Sequence, residues 1–202
     1  CRALRPAVTA RVETFGCDEH VTWRATDITL IDGRYAFNVV HDGTLLGRVH
    51  PALPGRHNVD NALAVIALAH DSGVPWSEMQ PGLHEFAGAR RRLELRGEVA
   101  GRTILDDYAH HPTEIRATLK AARERFNPKR LWCVFQPHQH SRTRFLLTDF
   151  AQSFSYADRV VVPDIYFVRD SQRERELVCA QDLVNEIQGR GGDATFIPQF
   201  DA

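Results

Sequence analysis

No stretch of this sequence approaches the roughly 18 consecutive apolar residues that suggest a membrane span, and its start lacks the charged-then-apolar layout of a secretion signal. The expectation is a cytoplasmic protein with no membrane partner. Cysteine is sparse and scattered. Cys1, Cys17, Cys133 and Cys179 form no Cys-x-x-Cys pair, which speaks against a disulfide scaffold or a zinc ribbon and for reduced thiols. Excess charge of either sign is also missing: 25 basic residues face 26 acidic ones, a formal charge of -1. Nothing therefore draws the chain as a whole to nucleic acid or anionic lipid, and small molecules are the expected partners. There is no internal repeat and no low-complexity segment. The first residue is Cys1 rather than Met, so the chain is expected to begin inside a longer gene product.

What is present is enough for one large or two small globular domains: 202 residues, 43% hydrophobic and 25% charged. From Val21 to His50 the apolar residues alternate in three runs separated by Asp32-Gly33 and Asp42-Gly43. Asp-Gly supplies the positive φ angles of tight hairpins, so the runs read as an antiparallel meander. The period then changes. Val59, Ala62, Leu63 and Ile66 share one helical face, Gly73 and Pro75 mark the stop, and a second helix is expected from about Trp76 to Phe86. Ala87 to Arg90 reads as an interdomain linker. Beyond it strands and helices alternate: "RTILDD", then "PTEIRATLKAARERF" with Pro112 in its first turn, then "RLWCVF". A helix near Arg142 to Tyr156, the strand "RVVVP", a helix near Cys179 to Gln188 and the strand "ATFIP" complete the series. The fold class is α/β: antiparallel strands plus helices, followed by a Rossmann-like, doubly wound, mostly parallel sheet domain. "RDSQRERE", from Arg169 to Glu176, reads as a solvated loop.

In an open parallel sheet, ligands bind outside the carboxyl ends of the strands. The first strand of the second half runs into Asp106-Asp107-Tyr108-Ala109-His110-His111, and the next into Gln136-Pro137-His138-Gln139-His140-Ser141-Arg142. The third follows suit with Pro163-Asp164-Ile165-Tyr166. If these strands are parallel neighbours, their polar tails converge on one rim. Plainer readings stand beside this one: a strand-end Asp is often a turn or cap residue, a lone His is often structural, and Arg90-Arg91-Arg92 suits a solvated face. A transition-metal cluster of these His and Asp residues is a weaker alternative. The spacing is unspecific, and the chain neighbours His110 and His111 are badly placed to ligate one ion. Upstream, Asn58 and Asn61 lie three apart on the first turn of a helix, where carboxamides suit either capping or the donor-acceptor edge of adenine.

Taken in order, these segments resemble the Mur ligase family. "GRHNVDNALAVIALA" from Gly55 is similar to a segment of the family's central domain, and "FAGARRRLE" from Phe86 to its domain junction. "DDYAHHPTEI", "FQPH" with "SRT", and "DIY" at Asp164 are similar to its alanine-adding branch. The resemblance implies that residues 1-88 are the C-terminal part of a central ATP-binding domain and 89-202 the family's C-terminal domain, short of a final helix and strand. It also implies an ATP-dependent, amide-forming ligase that joins L-alanine to UDP-N-acetylmuramate through an acyl phosphate in peptidoglycan synthesis. By position, Asn58 and Asn61 match the asparagines at adenine, Arg92 the junction arginine, and Asp107 the aspartate near the ribose. Tyr108, His110, His138 and Arg142 match positions facing the UDP-sugar acid and the incoming amino acid. Gln139 departs from the pattern, since the family usually has Arg there, so one of two expected carboxylate contacts is missing.

No G-x-x-x-x-G-K-[ST] phosphate loop occurs in the sequence. The resemblance places that loop, the Mg2+ and the metal-holding Glu and His upstream, so no metal ligand is assigned here and the chain alone is expected to be inactive. Two other readings remain: a Mur-type ligase that adds a different amino acid or a peptide, and a nucleotide-binding module without ligase chemistry.

Overall fold

Two Asp-Gly corners organise the first of two units, Cys1–Gly88 and Ala89–Ala202, in a computed structural model that describes residues 7-198. Cys1 lies outside the described residues. Phe15–Gly16 (β1) pairs in parallel with Trp23–Ile31 (β2), which runs antiparallel to Arg34–His41 (β3), itself antiparallel to Thr44–Val49 (β4). At the corners Asp32, Gly33, Asp42 and Gly43 have φ of 48°, 72°, 46° and 80°, the left-handed pair that a two-residue hairpin demands. The expected meander is present. The two-residue β1 carried no sequence signal. Strand alternation turns Trp23, Phe37 and Val39 to one face, each 0% exposed. His57–Asp71 (α1) covers that face with Val59, Ala62, Leu63 and Ile66, the stripe that its period requires. Trp76–Glu85 (α2) adds Met79. Gly47 admits the Trp76 indole so closely that a Cβ there would sit 3.0 Å from Nε1.

The second unit starts with a hairpin, Glu94–Val99 (β5) and Arg102–Asp106 (β6), turning at Ala100-Gly101 with φ of 49° and 71°. Pro112–Phe126 (α3), Trp132–Val134 (β7), His140–Phe145 (α4) and Leu147–Ser153 (α5) follow. Arg159–Val162 (β8), Gln172–Leu177 (α6), Ala180–Gly189 (α7) and Ala194–Phe196 (β9) complete the order. β7, β8 and β9 form a parallel sheet in that order. Its core joins Val160 and Val162 to Leu183 and Ile187 of α7, with Phe150 and Phe154 packed on Phe135 at ring distances of 5.4 and 5.3 Å. The α/β class is as expected.

Three details of the second unit differ from the sequence reading. β6 was expected beside β7 in the parallel sheet, but its hydrogen-bonded partner is β5, and no pairing joins β6 to β7. The single helix expected over 142-156 is broken at Leu146 (φ -112°, ψ 18°) into α4 and α5. That break lets α5 turn Phe150 into the core while α4 keeps its own direction. The expected solvated loop 169-176 contains α6, capped by the Ser171 hydroxyl, which accepts the Glu174 N–H at 3.2 Å.

Candidate functional site

The chain leaving β6 is held by side chains that accept backbone N–H groups. Asp107 takes the N–H of Leu93 on one oxygen at 2.7 Å. Its other oxygen takes the N–H of Ala109 at 2.8 Å and the Thr118 hydroxyl at 3.2 Å. Tyr108 donates its N–H to Arg91 O at 2.8 Å, and the Arg91 guanidinium lies 4.7 Å above the Tyr108 ring and 3.6 Å from Asp106. Arg91 and Leu93, at φ of 57° and 48°, bracket Arg92 in a tight, pinned turn whose tip is exposed. α3 opens with a reciprocal cap. His111 Nδ1 accepts the Thr113 N–H at 3.3 Å, while Glu114 accepts those of His110 at 3.0 Å and His111 at 3.3 Å. Burial pushes the Glu114 carboxyl up, but these donors and the His110 charge outweigh it and hold the group below the usual carboxylate range.

The chain leaving β7 is zipped to the end of β8. Tyr166 donates its N–H to Pro137 O at 2.8 Å and accepts that of Gln139 at 3.1 Å, with the His138 and Tyr166 rings 5.2 Å apart. Gln139 adopts a left-handed φ of 70°, and its carbonyl accepts both the N–H and the hydroxyl of Thr143, at 3.1 and 2.8 Å. Asp170 accepts the Ser141 N–H at 2.9 Å, and Arg144 forks onto Glu174 at 3.0 and 3.1 Å. These ties fix α4 and so the origin of the Arg142 side chain. Desolvation first, then the Arg142 charge, lowers the His138 pKa and favours a neutral imidazole.

Both tails open onto one cavity of about 620 Å3 inside the second unit, floored by Ile115 and Leu119 of α3. Asp107, Tyr108, His110, His138, Gln139 and Arg142 all line it, so the two polar tails meet although their strands do not pair. Arg92 does not line it. Asn58 and Asn61 belong to the first unit, on the first turn of α1, as their spacing required. Asn61 donates to Asn58 Oδ1 at 2.9 Å, and Asn58 donates to Pro54 O at 2.7 Å. The Asn58 carboxamide is thus engaged locally at both ends, whereas Asn61 Oδ1 has no partner among the described residues.

Among the lining residues that the sequence reading leaves out of the site is Arg169, which it places in the solvated loop. Its signal was its place, a few residues beyond β8 on the rim already marked by Tyr166. Among the described residues no group of three or more His, Cys, Asp or Glu could hold a metal ion. His110 and His111 diverge, one with Nδ1 3.1 Å from Tyr108 O and the other capping α3.

Comparison with known proteins bears on the family and the fold. The family described as Mur ligase, glutamate ligase domain, matches residues 91–202. Over 192 residues the chain is 43% identical to a UDP-N-acetylmuramate--L-alanine ligase of Caldanaerobacter subterraneus subsp. tengcongensis, covering 95% of this chain and 41% of that protein. Its fold is similar to the crystal structure of a UDP-N-acetylmuramate-alanine ligase from Thermotoga maritima, with a TM-score of 0.74 at 28% identity, over 93% of this chain and 39% of that one. A murein peptide ligase from Psychrobacter arcticus gives a TM-score of 0.62 at 29% identity, over 92% and 38% of the two chains. The chain spans about two-fifths of the length of the curated relatives it matches. On a family match covering more than half of its residues, and with two motif-bearing strand ends meeting in one cavity, this chain belongs to the Mur ligase family.

Proposed function

We propose that the protein containing this chain joins L-alanine to UDP-N-acetylmuramate, using ATP to convert the sugar acid to an acyl phosphate that the amine of alanine attacks, with ADP and phosphate released. The observation that carries this reading is the cavity in which Tyr108, His110, His138 and Arg142 meet. Arg142 has no ion-pair or hydrogen-bond partner for its guanidinium among the described residues, so it is available to an anion such as the alanine carboxylate. His138, biased towards the neutral form, adds a hydrogen-bonding group without a second full charge. The work of these groups is orientation and charge complementarity, which dominate phosphoryl- and acyl-transfer sites of this kind.

For ATP, the residues present fit unequally. Asn61 keeps a free carbonyl oxygen for the adenine edge, while Asn58 supports Asn61 rather than facing outward. Asp107 already accepts three donors, which leaves about one of its four lone-pair positions for a ribose hydroxyl. No group of residues is assigned to Mg2+ among those described. The boundary at Gly88 and Ala89 is read as the junction between the central and C-terminal domains. Among the described residues β6 and β7 each show one unpaired edge, with Trp132 54% and Val134 62% exposed.

The test is amino-acid-dependent ADP formation by the full-length enzyme with UDP-N-acetylmuramate. L-alanine is expected to be the best substrate, ahead of glycine, L-serine and a murein tripeptide. A clear preference for the tripeptide would move the assignment to a peptide-adding ligase, and ADP formation with none of them would leave only nucleotide binding. This chain by itself is expected to release no phosphate from ATP.

A further inference from the structure

The charges around the cavity do not balance. Its two lining carboxylates are both engaged: Asp106 pairs with Arg91 at 3.6 Å, and Asp107 accepts the N–H groups of Leu93 and Ala109 and the Thr118 hydroxyl. That leaves Arg142 and Arg169, two lining guanidiniums with no ion-pair or hydrogen-bond partner among the described residues. They come from different elements, Arg142 from α4 and Arg169 from the segment between β8 and α6. Asp107, held by neutral donors alone, keeps its charge, so the three lining arginines outnumber the two lining carboxylates by one, and the two guanidiniums without a direct partner favour a bound anion. Arg169 also holds a left-handed backbone, φ 52°, which a non-glycine residue adopts at a cost and which is enriched at ligand sites. The next residue, Asp170, is fixed by Ser141 of α4. The segment carrying Arg169 is therefore tied to the helix carrying Arg142.

We infer that Arg169 is the second carboxylate-binding residue for the incoming amino acid, forming with Arg142 a two-guanidinium clamp that makes an arginine at position 139 unnecessary. The inference rests on the proposed ligase reaction and adds to it a specificity-determining residue. Gln139, with its strained φ of 70° and a side chain that carries no charge, lines the same cavity. The missing positive charge is thus supplied from the β8 side of the site rather than from the β7 side. A planar guanidinium accepts a carboxylate through two parallel N–H donors, which neither Gln139 nor an ammonium reproduces.

The other anions that could meet these arginines are the phosphates of ATP and of the UDP-sugar, and steady-state kinetics separates the sources. In the full-length enzyme, Arg169→Asn keeps a residue that tolerates the left-handed backbone and removes the guanidinium. Its KM for L-alanine is expected to rise roughly 10- to 100-fold, the loss of one charge-assisted contact. The KM values for ATP and UDP-N-acetylmuramate, and kcat at saturating alanine, are expected to stay within about twofold. Adding Gln139→Arg to Arg169→Asn is expected to restore most of the alanine affinity, which a purely structural role for Arg169 would not allow. An unchanged alanine KM, a rise confined to a phosphate-bearing substrate, or a double variant without recovery would each overturn the clamp. Wild-type enzyme that does not use L-alanine at all would instead remove the proposed reaction, and the clamp with it.

Discussion

Asp107 and Leu93 are joined by a 2.7 Å hydrogen bond from the leucine N–H to the aspartate carboxylate. Through it the end of β6 holds the strained turn that displays Arg92, and the same carboxylate holds Ala109 and Thr118. Asp107→Ala strips three donors of their acceptor and is expected to lower the unfolding free energy of the chain by about 2 kcal/mol. Asp107→Asn, which keeps one good acceptor, is expected to lose less. Urea denaturation measures both. A variant as stable as wild type would mean that these bonds are idle and would return Asp107 to a purely ligand-facing role.

The reciprocal cap on α3 gives a pH signature. The folded-state pKa of Glu114 is depressed, so its contribution is fully present above the unfolded carboxylate value of about 4.3 and is lost as pH falls through the lower folded value. Glu114→Ala is expected to cost about 1 kcal/mol at pH 7, the usual size of a cap. The gap between variant and wild type should close on acidification below about pH 4. Denaturation midpoints collected across pH test this, and a gap that persists undiminished into strong acid would contradict it.

Arg142 contributes to the lowered pKa of His138, second to desolvation. In Arg142→Ala the His138 titration, followed by NMR of its imidazole carbon-bound protons, is expected to move upward towards the ordinary value near 6.5 without reaching it. Unaltered titration would separate the two side chains electrostatically and weaken the case for a shared ligand.

Burial raises the Cys133 thiol to about 12, whereas Cys17 and Cys179 are exposed. At pH 8 iodoacetamide is expected to modify Cys17 and Cys179 and to leave Cys133 intact until denaturant is added, because the thiolate is the reactive form. Peptide mass spectrometry reads the outcome. Equal labelling of all three would show that the wall of the cavity formed by β7 is open to solvent.

What could be read before any coordinates follows from which interactions have a local cause. Asp32-Gly33 and Asp42-Gly43 announced their hairpins because a positive φ is written in residue type, and Pro112 announced α3 for a similar reason. Ala100-Gly101 makes a third such corner, but it follows the junction segment so closely that β5 went unnoticed and β6 was placed in the wrong sheet. The rim residues Asp107, Tyr108, His138 and Arg142 were legible because polar groups at strand ends are conspicuous. Arg169 was not, since a charged residue in a charged stretch looks solvated until its neighbours are known. The engagement of Asp107 was equally hidden, because its partner before β5 is the backbone of Leu93, and a backbone N–H leaves no mark on the sequence.

The break at Leu146 leaves α4 only six residues long, too short to hold itself together by its own ladder. Its orientation is borrowed from outside, from Asp170 at its start and Glu174 on its flank. Replacing those two acids therefore removes the outside supports of the turn that carries Arg142 without altering any residue that lines the cavity.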